Sequence, residues 1–64
     1  MWIMSQNRDQ LIEVNNLRVH GDIIMCGTWE LGRYESNDRA MQVLQQIKCW
    51  RNANKTMIPE MPII

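Results

Sequence analysis

Along the first half of the chain, polar and apolar positions alternate in short runs, and the period then lengthens. Met1-Trp2-Ile3-Met4-Ser5 has strand composition, and the polar Gln6-Asn7-Arg8-Asp9-Gln10 that follows is rich in turn formers. Leu11-Ile12-Glu13-Val14 reads as the returning strand of a hairpin. Asn15-Asn16 tolerates left-handed backbone and marks a bulge or a kink. Strict alternation resumes at Leu17, with Leu17 and Val19 on one face and Arg18 and His20 on the other. Gly21-Asp22 fits a two-residue hairpin turn. Ile23-Ile24-Met25-Cys26 is continuously apolar, as in a central strand or one packed on both faces. After Gly27, the stretch Thr28 to Glu35 is again β-rich. Alternation there groups Trp29, Leu31 and Arg33, and a bulge at Gly32 would bring Leu31 and Tyr34 to one side.

At Ser36 the period changes to that of a helix. Ser36 is a good N-cap and Asp38 suits the positive end of the helix dipole, although Arg39 stands where a capping box would place Glu or Gln. Ala40, Val43, Leu44, Ile47 and Trp50 or Arg51 recur at helical spacing, with Gln42, Gln45, Gln46 and Lys48 mainly between them. Lys48, Arg51 and Lys55 suit the negative end, and Asn52 or Asn54 can close the helix. The spacing predicts a helix from Ser36 to about Asn52. Beyond it, residues 56–64 carry two prolines that exclude a helix, yet most of the segment is large and apolar. The expected architecture is α+β: a small antiparallel β-meander of three to four strands, with one C-terminal amphipathic helix packed on one face. Residues 1–55 form the single domain and residues 56–64 an apolar, proline-containing tail.

A chain of 64 residues holds one core, and at this size only about 60% of the unfolded surface is buried, so stability calls for help from elsewhere. One helix leaves the second face of the sheet uncovered. Seven basic and seven acidic residues cancel, which gives little electrostatic resistance to self-association. Phe is absent, while six Met and three Trp serve cores and contact surfaces alike. These features predict a homodimer or other self-association, with an unidentified protein partner also open, in which Trp50 and the tail residues Met57, Ile58, Met61, Ile63 and Ile64 form the contact surface. The opening residues lack the form of a secretory signal, and no apolar run approaches the ~20 residues of a membrane span. A cytoplasmic protein is expected.

Candidate chemistry is sparse. Cys26 and Cys49 read as small apolar residues in a reducing compartment, and their spacing to His20 matches no zinc pattern. His20 reads as a turn-flanking, solvent-facing residue. Asp9, Glu13, Asp22, Glu30 and Glu35 form no evident acidic pair, and the isolated glycines belong to turns and bulges, not a phosphate loop. No catalytic residue, cofactor or metal is expected. The basic residues are scattered except for Lys48, Arg51 and Lys55. Set beside Trp29 and Tyr34, that cluster supports only a weak nucleic-acid binder as the alternative.

Two motifs carry a resemblance. Met1-Trp2-Ile3-Met4-Ser5-Gln6 at the start, and Leu31-Gly32-Arg33-Tyr34-Glu35-Ser36 before Ala40-Met41-Gln42-Val43-Leu44, resemble a family of small uncharacterised proteins from Gram-positive bacteria and their prophages. Those chains open with M-W-I-x-S-Q and later show L-G-x-Y-x-[ST]-x-x-x-A-x-x-V-L. The resemblance spans roughly the first fifty residues. It implies the sheet-then-helix order and supplies no activity. The leading expectation is therefore a non-enzymatic protein-interaction or regulatory module of a bacterial or prophage genome.

Overall fold

A computed structural model describes residues 1–52 and 58–64. Strands β1 (Trp2–Met4) and β2 (Leu11–Glu13) form an antiparallel hairpin, with Ile3 opposite Ile12. Directly paired residues share a face, so Ile3 and Ile12 point to the core while Trp2, Met4, Leu11 and Glu13 lie on the other side. Strands β3 (Arg18–His20), β4 (Ile23–Cys26) and β5 (Trp29–Arg33) form a second, three-stranded antiparallel sheet with β4 in the centre. The α+β architecture is the expected one. Its finer division is two sheets instead of a single meander, with the break at Asn15-Asn16. Val14 still donates to Met1 O at 2.8 Å and is buried, but the exposed asparagines leave the ladder.

Tight turns set the second sheet. His20 pairs with Ile23 around Gly21-Asp22, and Cys26 pairs with Trp29 around Gly27-Thr28. Gly21 and Gly27 have φ of +66° and +61°, the left-handed region that the first position of a type II′ hairpin turn requires. The bulge falls on β5: Ile24 faces Gly32 and Met25 faces Glu30, so Leu31 is the extra residue. It reverses the alternation, and Leu31 and Tyr34 are both buried while Trp29 and Arg33 are exposed.

Helix α1 (Asn37–Asn52) packs across β3 and β4. Ser36 Oγ accepts from Arg39 N at 3.1 Å, which makes Ser36 the N-cap. Asn37 Nδ2 donates to Gly21 O at 2.7 Å and ties the start of the helix to the β3–β4 turn. Ala40, Val43 and Ile47 face inward to a core that also holds Ile3, Val14, Ile24, Leu31, Tyr34 and Met61.

The two sheets are joined through Gln6. Its N–H donates to Leu31 O at 2.8 Å, its Nε2 donates to Arg33 O at 2.9 Å, and its Oε1 accepts from Arg33 N at 2.8 Å. A side-chain amide thus takes the place of a neighbouring strand's main chain along the free edge of β5.

Candidate interaction surface

The expected contact residues occupy different environments. Met61 is completely buried. It was expected on the outer surface, but residues 58–64 run along the edge of β1, with Met4 and Glu60 in a parallel bridge. That placement turns an unbranched, polarizable side chain inward as core filling. Trp50 is half-buried against the core and borders a shallow depression with Arg8, Ile58 and Pro62. Ile58, Ile63 and Ile64 are exposed. Met57 and Lys55 lie outside the described residues. The segment of residues 58–64 packs onto the domain instead of projecting from it.

A second apolar surface lies on the β1–β2 hairpin and the start of β5. Trp2 is 48% exposed, Leu11 45% and Trp29 57%. Trp2 and Leu11 share the outer face of the β1–β2 hairpin, and Trp29 borders a depression of about 360 Å³ together with Leu11 and Glu13. Glu30 reaches Arg33 at 3.8 Å close to this surface in sequence, an exposed pair of little energetic weight. Trp29 pairs with Cys26 at the very start of β5, next to the Gly27-Thr28 turn, and is exposed there.

Asn15, Asn16 and Leu17 face Lys48 and Arg51 across a groove of about 320 Å³ that also meets the buried Val14 and Ile47. The aromatic half of the nucleic-acid alternative fares differently. Tyr34 offers no open ring: it is buried, its hydroxyl donates to Pro62 O at 2.9 Å, and the Arg39 guanidinium sits 5.9 Å from its ring centre. Burial pushes the Tyr34 phenol above its ordinary value, while the Arg39 and Arg8 charges pull it back in part. His20 is exposed, and Cys26 and Cys49 are both free thiols. Cys49 is exposed, pointing away from the Ala40–Val43–Ile47 stripe. Among the described residues no three His, Cys, Asp or Glu side chains gather, and no helix is long and apolar enough to cross a membrane.

No family model, curated protein or solved structure matches the chain.

Proposed function

We propose that this chain is a non-enzymatic protein-interaction or regulatory module of a bacterial or prophage genome, acting in the cytoplasm as a homodimer. Its contact surface is the outer face of the β1–β2 hairpin, which carries Trp2 and Leu11, together with Trp29 of β5 at its border. The observation that carries this reading is the exposure of two tryptophans and a leucine around a hairpin whose inner face is core. Tryptophan is among the residues on which interfaces most often concentrate binding energy. Zero net charge adds no long-range repulsion between copies. Exposed Ile58, Ile63 and Ile64 offer a second apolar margin on the docked segment.

The test is the solution mass of the full chain across a concentration series, by light scattering or sedimentation. The wild type is expected as a dimer, and the double variant Leu11→Ser/Trp29→Ser as a folded monomer with an unchanged far-ultraviolet circular dichroism spectrum. A wild type that is monomeric throughout refutes the homodimer. A dimer that survives the double substitution places the contact elsewhere.

A further inference from the structure

The hydrogen bonds of the β1–β2 hairpin alternate, and their parity fixes which main-chain groups point outward. Val14 N donates to Met1 O at 2.8 Å and Ser5 N donates to Gln10 O at 2.9 Å. In the register that sets Ile3 opposite Ile12, residues Gln10, Ile12 and Val14 therefore turn their main-chain groups toward β1, while Leu11 and Glu13 turn theirs away. The same parity sends the groups of Met4 to the far edge of β1, and there they are used. Met4 N donates to Pro59 O at 3.0 Å, and Met4 O accepts from Met61 N at 2.9 Å. Arg8, at φ of +64° in a turn where its N–H donates to Ser5 O at 3.0 Å, adds a bond from Nη1 to Met61 O at 2.8 Å. Residues 58–64 thus close the β1 edge from within the chain.

The β2 edge is open. Among the described residues, no hydrogen bond reaches the outward N–H and C=O of Leu11 or of Glu13. Both residues are exposed, and the depression lined by Gln10, Leu11, Ile12, Glu13 and Trp29 lies beside them. An unpaired edge is a template for a further strand unless proline, a bulge or several charges blunt it. No proline stands in β2, no bulge breaks its register with β1, and its one charge is that of Glu13.

We infer that β2 pairs antiparallel with β2 of a second copy of the chain about a twofold axis at Ile12, joining the two hairpins side by side into one sheet. The inference rests on the homodimer proposed above and names the border of the hairpin face, Leu11 to Glu13 beside Trp29, at which the copies meet. The strand is complementary to itself in this register. Leu11 of each copy faces Glu13 of the other, and each such pair exchanges both of its N–H···O bonds, so every outward group of the two residues finds a partner. Ile12 meets its own copy across the axis. Glu13 stands opposite leucine, so no like charges face each other, and the two Leu11 side chains become diagonal neighbours on the outer face, roughly 7–8 Å apart. Trp29, at the rim of the depression, flanks the entering strand. Since residues 58–64 occupy the β1 edge of each copy, the joined sheet has no open edge left and stops at two copies.

Proline at position 13 separates this pairing from the fold of the single chain, because the Glu13 N–H points away from β1 and an edge strand accepts proline on that side. Full-length Glu13→Pro is expected to keep the circular dichroism spectrum of the wild type and to sediment as a monomer at concentrations where the wild type is a dimer. Ile12→Cys in a Cys26→Ser/Cys49→Ser background is expected to give a covalent dimer on mild oxidation. Facing residues of a non-hydrogen-bonded pair lie about 4.5 Å apart at Cα, within reach of a disulfide. Trp2→Cys in the same background is expected not to cross-link, since side-by-side hairpins hold the two β1 strands apart by both β2 strands. A wild type that is monomeric throughout refutes the homodimer and this pairing with it. A dimer that persists in Glu13→Pro, or no covalent dimer from Ile12→Cys, overturns the pairing and leaves the homodimer with another contact. If Glu13→Pro unfolds, the cross-link at position 12 decides alone.

Discussion

A Cβ built on Gly32 meets Tyr34 Oη at 3.0 Å and both Tyr34 Cε2 and Gln6 Cβ at 3.2 Å. The position needs glycine for space, not for backbone freedom, since its neighbours are the two side chains that join β5 to the rest of the molecule. Tyr34 cannot yield freely, because its hydroxyl is committed to Pro62 O. Gly32→Ala is therefore expected to destabilise the chain by about 1–3 kcal/mol, the range for overpacking, read as a lower midpoint in urea. Tyr34 itself makes stability depend on pH. Its folded pKa lies above 10.0 because of burial, so the native state holds the phenolic proton more tightly than the unfolded state. Its contribution is full below about pH 10 and is lost as pH rises through the folded value. The wild type should lose thermal stability above pH 10 more steeply than Tyr34→Phe. Tyr34 is the only tyrosine, so phenolate absorbance follows that group alone.

At the scale of the elements, what was legible in the sequence is what depends on neighbours along the chain. Gly21-Asp22 announced its turn through residue type and spacing. Ser36 announced the helix start, and Ser36→Ala is expected to cost about 1 kcal/mol, measured by chemical denaturation. The inward face of the helix followed from its period, and the possible bulge near Gly32 correctly joined Leu31 to Tyr34. Arg8 gave no such signal, because arginine is not a residue type that marks left-handed backbone; its geometry is enforced by Ser5 and the docked segment. Nor did the sequence reveal that Asn15-Asn16 would end one sheet and begin another, since a kink and a break share the same local composition. The contact surface was the least legible part. Apolar character in residues 56–64 shows that burial is needed, but Met61 meets it inside its own chain, and the pairing partner at Met4 is remote in sequence. Trp29 is exposed at the first position of β5, beside the turn, where alternation says little about burial.

For the whole molecule, the hairpin face offers apolar area around Trp2, Leu11 and Trp29, whereas the docked segment is held within the chain by hydrogen bonds along the edge of β1. The docked segment also changes what the β1 edge presents. Pro59 and Pro62 interrupt the row of donors that a further strand would need, so sheet growth from that side stops within the molecule.

The burial of Met61 also sets an order of events. Gln6 and Ile63, which meet in the native structure, are 57 residues apart, and such remote contacts form only after a long loop has closed. During synthesis, the hairpin, the second sheet and the helix all emerge before the residue that fills the remaining space in their core. Until residue 61 arrives, the nascent domain carries an open apolar socket beside Ser5 and Tyr34.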